Sequence, residues 1–287
     1  MFLLLSEKQS ALTVRPLNTL TRVNLMKRFA ETILILLFVS MMLIGTGNAQ
    51  TAADEEIDAM LDSLSEWVSL PDEEEASIGR LIGIRIGIDP GHQEHRNREK
   101  EVIAPDSKKT RDKVAPGTRG IKTGIPEYVT VLDISFALRD ALLREGAEVY
   151  MTRETHDVNL SNQERAKMMN ALHVDLVLRI HCNGSSSSSP NGIGLYVNRS
   201  YAISAESRRA AQCILPRMAQ ATGAKENGVF QRDTYTGLNW SDVPSVLVEC
   251  GYLTNPEEDM LLNDPTYQEK LAEGIVEGIC DYFGRWQ

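Results

Sequence analysis

Residues 174–180, Val-Asp-Leu-Val-Leu-Arg-Ile, are nearly all apolar and too short for a helix that spans a domain. A strand of this composition is buried on both faces, and such strands belong to parallel sheets covered by helices. The flanking sequence supplies those helices. Ile82, Ile84, Ile86 and Ile88 alternate with Gly83, Arg85 and Gly87, a strand pattern. Residues 127–145 carry Val131, Ile134, Leu138 and Leu142 along one helical stripe that stops at Gly146. A β-rich segment at 147–153 follows, then a helix over 161–172 with Ser161 as its N-cap. Beyond residue 180, strands are predicted at 192–197 and 245–248, and helices at 203–222 and 266–283. Alternation of this kind defines an α/β domain with a largely parallel sheet and helices on both faces, spanning 81–287.

The chain ahead of that domain reads differently. Lys27-Arg28 precedes an apolar run at 33–44, and the run closes on Gly47-Asn48-Ala49. A basic start, a dozen apolar residues and small residues before a cut form a secretory signal. We place cleavage after Ala49, so residues 1–49 are an N-terminal extension and signal peptide and the working protein is exported, to the periplasm, cell wall or medium. A membrane anchor through 33–44 is the alternative, although the run falls short of the roughly 20 apolar residues of a spanning helix. Residues 50–80 form an acidic segment and linker. Ten of the acidic side chains lie between Asp54 and Glu75 with no Lys or Arg among them, which accounts for the net charge of −10. Within it Ile57, Met60, Leu61, Leu64, Trp67 and Val68 share one helical face. The acidic balance argues against nucleic acid as a partner, because phosphate binding needs a basic face. Cys182, Cys213, Cys250 and Cys280 form no CxxC pair, so a zinc ribbon or dense disulfide scaffold is not expected; they read as buried free thiols, with one disulfide as the alternative in an exported chain.

In open α/β sheets the working groups sit beyond the carboxyl ends of the strands. Three predicted strands end in polar groups: the first in Asp89-Pro90-Gly91-His92, the buried one in His181-Cys182-Asn183, the late one in Glu249-Cys250-Gly251. Two histidines and a carboxylate converging on one edge are what a hydrolytic zinc site needs, since neutral imidazoles bind the metal and leave a position for water. A single histidine after a strand is more often a hydrogen-bonded core or loop residue than a ligand, and His95, His156 and His173 are assigned to that class.

Taken in order, Ile88-Asp89-Pro90-Gly91-His92, Glu127, Ile180-His181-Cys182-Asn183 and Pro244 through Asn255 resemble the zinc-dependent N-acetylmuramoyl-L-alanine amidases of the Amidase_3 family. Thr152-Arg153, Leu160, Arg165, Asn170 and Gly237-Leu238-Asn239-Trp240 agree with it. The resemblance covers 81–287. It implies one Zn²⁺ held by His92, Glu127 and His181, a catalytic Glu249, and a mixed sheet of about six strands. The implied substrate is peptidoglycan or a muropeptide, cut between N-acetylmuramic acid and L-alanine. A zinc peptidase acting on the stem peptide, or an inactive wall-binding module, are the competing readings. Asp89 is a candidate to orient His92 through its second ring nitrogen, or a turn residue.

Two positions depart from the family pattern. Val131 stands where the family usually has Asn, and Arg179 where it usually has Ser; both are read as marks of a different substrate groove. The segment from Gln93 to Pro126, with nine Lys or Arg against five acidic residues, reads as a solvated loop or as a groove wall that attracts anionic polymer.

Overall fold

The computed structural model describes residues 79–285. The signal, the candidate anchor at 33–44 and the apolar face at 57–68 lie outside those residues. Among the described residues, no helix is long and apolar enough to cross a membrane.

The elements run β1 (Arg85–Pro90), β2 (Asn97–Val102), β3 (Thr110–Val114), α1 (Glu127–Arg144), β4 (Glu148–Met151), α2 (Asn162–Ala171) and β5 (Leu176–Asn183). They continue with β6 (Ile193–Val197), α3 (Ser204–Thr222), β7 (Glu226–Gln231), α4 (Thr236–Asn239), β8 (Ser245–Tyr252), α5 (Pro256–Leu262) and α6 (Pro265–Phe283). Six strands form one sheet in the order β4-β1-β5-β8-β6-β7. Every neighbour pair is parallel except β6 with β8. The fold is therefore the mixed, mostly parallel sheet that the element alternation and the family resemblance imply.

Side chains alternate across the sheet, and the two faces are unequal. On one face Leu176, Leu178 and Ile180 of β5 and Val246 and Val248 of β8 join the large core under α1, α3 and α6. Helices α3 and α6 approach closely because Gly274 and Gly278 stand one turn apart; a β-carbon at Gly274 would lie 2.7 Å from the Cα of Met218. The opposite face is thinner. It carries α2, α4 and a small cluster of Met169, Val174 and Val177. This thin face leaves room for a cleft above the carboxyl ends of β1, β5 and β8.

Strand β1 begins at Arg85, not Ile82. Gly83 at φ +80° turns the chain there, and Ile82 points outward at 56% exposure. Segment Gln93–Pro126 is also more ordered than a solvated loop, because β2 and β3 pair as an antiparallel hairpin. Its two strands consist largely of charged residues (Arg98, Glu99, Lys100, Glu101, Arg111, Asp112 and Lys113), so no apolar alternation marks it in the sequence. It is held by hydrogen bonds, one to the buried Glu101 side chain from Gln163 N at 3.0 Å and several to its backbone. Trp240 Nε1 donates to Val102 O at 3.0 Å, Asn239 Nδ2 to Ile103 O at 2.9 Å, and Asn162 Nδ2 to Lys113 O at 3.0 Å. Ser161 caps α2 as expected, in a reciprocal capping box with Glu164. All four cysteines are free, and Cys182, Cys250 and Cys280 are buried.

Candidate metal centre and active site

His92 stands two residues past Pro90, the last residue of β1, and Gly91 N still donates to Ile180 O at 2.9 Å, so the histidine leaves the sheet at its carboxyl edge. Its backbone is left-handed, φ +58°, a conformation uncommon outside glycine. His181 lies near the end of β5, in register with Glu249 on β8. Both project onto the thin face, because their neighbours Ile180, Cys182, Val248 and Cys250 belong to the opposite core. Glu127 opens α1. A helix that returns from one parallel strand to the next starts at the carboxyl edge, so its first residue reaches the same place as the strand ends.

The structure brings His92, Glu127 and His181 together, with one ligand atom from each inside 4.8 Å of the others. His92 Nε2 lies 3.1 Å and His181 Nδ1 3.2 Å from the same oxygen, Glu127 Oε1. The two rings meet edge to face at 4.9 Å. That carboxylate also accepts two backbone hydrogen bonds, from Cys182 N at 3.1 Å and Thr118 N at 2.8 Å. Of the remaining histidines, none among His95, His156 and His173 joins the group.

This donor set fits a divalent metal ion on geometry alone. Ala115 O can only accept, so its 3.0 Å contact makes His92 Nδ1 the protonated nitrogen. The Nε2 lone pair then faces a carboxylate oxygen, an arrangement that is repulsive unless a proton or cation shares the space. The 3.1 and 3.2 Å separations are close to the roughly 3.3 Å edge of a tetrahedral site with bonds of about 2.0–2.1 Å.

The electrostatics point the same way. Burial would raise the Glu127 carboxyl, but the two imidazoles hold it well below the usual carboxylate range. Burial would lower His92, and the Glu127 charge outweighs it and lifts the value. At His181 burial wins and the ring stays neutral more readily. Glu249 is pushed well above the ordinary carboxyl range by burial and then by the Glu127 charge. Its Oε2 is buried with no hydrogen-bond partner. A buried carboxylate with a raised pKa and a free oxygen suits proton transfer near neutral pH.

These groups line a cleft of about 550 Å³ that also takes in Arg111 from the hairpin, Arg179 and Tyr235. Arg111 brings a positive charge to the wall, as expected for part of segment Gln93–Pro126. Of the two departures from the family pattern, Val131 is fully buried in the core and is absent from the cleft lining, so it does not shape the groove. Arg179 does reach the cleft.

Asp89 does not orient His92. It is 1% exposed and faces two arginines, with Arg165 Nη1 at 3.0 Å and Arg179 Nη2 at 2.7 Å. The second contact is a charge pair rather than an aligned hydrogen bond. Thr152 Oγ1 completes its shell at 2.5 Å. The partner of the His92 second nitrogen is instead a backbone carbonyl, Ala115 O, which no side-chain pattern in the sequence announces.

Three side chains that could hold a metal ion, beside a buried carboxylate at the carboxyl edge of an α/β sheet, form the kind of site that metal-assisted hydrolases use. The chain belongs to the Amidase_3 family, N-acetylmuramoyl-L-alanine amidase, whose family model matches residues 86–281. It is 32% identical over 203 residues to the N-acetylmuramoyl-L-alanine amidase LytC of Bacillus subtilis, covering 71% of this chain but only 36% of that protein. It is 31% identical over 239 residues to the germination-specific N-acetylmuramoyl-L-alanine amidase of the same organism, covering 77% of this chain and 85% of that one. Among solved structures, the N-acetylmuramyl-L-alanine amidase Ami1 of Mycobacterium smegmatis superposes with a TM-score of 0.66 at 26% identity, covering 72% of this chain and 99% of that one.

Proposed function

We propose that this chain is a zinc-dependent peptidoglycan amidase that hydrolyses the bond between the lactyl carbonyl of N-acetylmuramic acid and the nitrogen of L-alanine. The observation that carries this is the convergence of His92, Glu127 and His181 beside a buried, unpartnered Glu249 oxygen. His92, Glu127 and His181 would hold one Zn²⁺, which supplies Lewis acidity to polarise a carbonyl and to lower the pKa of water from about 15.7 toward 7. Glu249 Oε2 takes the proton of the attacking water and delivers it to the departing amide nitrogen. The water oxygen ends in the lactyl carboxylate and the stem peptide leaves whole, with a free amino terminus. Thr118 N and Cys182 N hold the Glu127 carboxylate in place throughout. Arg111 on the hairpin draws the anionic substrate toward the cleft. Export through the signal at 26–49, or anchoring through 33–44, would deliver the enzyme to the wall.

The test is product mass after digestion of a defined muropeptide by the full chain. Intact stem peptide plus lactyl sugar is the expected pair, and activity should disappear on chelation and return with Zn²⁺. A shortened stem peptide would mean a peptidase, and no product from zinc-loaded protein would leave only a binding module. Activity that survives both chelation and loss of Glu249 would overturn the mechanism.

A local prediction follows from the turn before His92. A β-carbon at Gly91 would sit 2.6 Å from both ring nitrogens of His181. Gly91→Ala must therefore displace that ring, and we expect zinc affinity to fall by at least ~10-fold, comparable to the loss of an outer-shell partner. Competition against a chromophoric chelator measures it.

A further inference from the structure

We propose that Arg153 and Arg165 are positioning residues for the metal centre: their guanidiniums grip three consecutive carbonyls, Pro90, Gly91 and His92, and so set the backbone of His92 and its distance from Glu127. The proposal rests on the reading of His92, Glu127 and His181 as metal ligands.

The chain leaves the sheet after Gly91 N, so the carbonyls of this turn have no strand to accept from, and each is taken by an arginine. Pro90 O accepts from Arg153 Nε at 3.0 Å and from Arg165 Nη1 at 2.8 Å. Gly91 O accepts from Arg153 Nη2 at 2.9 Å, and His92 O from Arg165 Nη2 at 2.9 Å. Both side chains are buried. The turn they hold is the one in which His92 is left-handed, a region that persists for a non-glycine residue only where its surroundings over-determine it.

The two arginines divide the work. Arg165 ties the turn inward, to Asp89 Oδ1 at 3.0 Å, Gln93 Oε1 at 3.1 Å and Leu160 O at 3.2 Å. Arg153 ties it across to α1, because Nη2 also donates to Tyr128 O at 2.8 Å. Tyr128 is the residue after Glu127, so one guanidinium nitrogen bridges the backbones that carry two of the three metal-facing side chains. Thr155 O, at 3.1 Å, completes its partners. None of the hydrogen bonds of Arg153 goes to an acid, and burial lowers its pKa to about 10, which leaves it charged at neutral pH. A buried cation whose hydrogen bonds all go to carbonyls is a costly way to stabilise a fold that an apolar side chain could fill. It is a good way to fix several carbonyls at once, because the planar guanidinium offers five donors in a rigid fork that an ammonium cannot copy.

The test uses the full-length chain and its Arg153→Lys, Arg153→Met and Arg165→Lys variants. Three readouts are needed: thermal unfolding of the metal-free protein, zinc affinity by chelator competition, and kcat and KM on a muropeptide. We expect Arg153→Lys to fold, to bind zinc ~10–100-fold more weakly than wild type, and to lose kcat with little change in KM. Arg153→Met and Arg165→Lys should weaken zinc at least as much. Wild-type zinc affinity in variants that merely melt earlier would overturn the proposal and leave a fold role. So would an Arg153→Lys chain that cannot fold without metal. If His92→Ala leaves zinc affinity at the wild-type level, the ligand reading itself fails, which the arginine variants alone would not produce.

Discussion

Glu249→Gln is expected to reduce kcat by about 10²–10⁴-fold, the usual span for removing a general base or acid, with fold and zinc affinity retained. The amide keeps the size of the carboxylate but cannot accept the proton of water. Glu249 lies opposite His181 across the β5–β8 pair, and its Oε2 carries no hydrogen bond that the substitution would break. The pH profile adds a sign. Burial raises the Glu249 pKa, so the rate should fall as pH drops through a value above the ordinary glutamate figure of about 4.3. A bound divalent cation would draw that limb partway back down, and the glutamine variant should lose the limb altogether. Rates of peptide release from pH 4 to 9 on both proteins decide the matter. A glutamine variant with wild-type kcat would remove Glu249 from the chemistry.

Asp89→Ala should be the most damaging single change to stability, about 3–5 kcal/mol, because it leaves Arg165 and Arg179 buried without their shared counter-charge. For a domain of this size that corresponds to a fall in Tm on the order of 10 °C. The two arginines hold the Asp89 carboxyl far below its usual range, against the opposing effect of burial. A depressed pKa gives a contribution that is complete above the unfolded value of about 3.9 and is lost as pH falls toward the folded one. The gap between wild type and Asp89→Ala should thus be constant from pH 5 to 8 and narrow below pH 4. Denaturant titrations across that range measure it. A gap that stays wide in acid would mean that packing around Asp89, not its charge, holds the domain.

Much of the architecture was legible because it rests on periodicities that survive in one dimension. The apolar run at 174–180 required a two-faced sheet, and the stripe through Val131, Ile134, Leu138 and Leu142 required α1 to lie on it. His92, His181 and Glu249 were visible as polar groups where strands ended. Glu127 was not, and reached the candidate list through family resemblance alone. A usable signal existed: the first residue of a helix that follows a parallel strand stands at that strand's carboxyl edge. The β2–β3 hairpin had no such signal, because its ladder runs through charged residues and several of its anchors are backbone carbonyls that accept from Trp240, Asn239 and Asn162.

The sequence by itself determined five of the six strands of the main sheet and its four main helices, the edge on which the working groups collect and the family to which they belong. Hydrophobic spacing and ordered motifs are properties of neighbours along the chain, so they can be read without a fold. The tertiary structure decided which polar group meets which. It gave Asp89 to Arg165 and Arg179 instead of to His92, and it placed a backbone carbonyl, Ala115 O, on the His92 ring. It also set Arg153 across two segments that no sequence spacing relates. Such pairings depend on distances between residues far apart in the chain and on carbonyls and amides that every residue carries alike, and only packing selects among them.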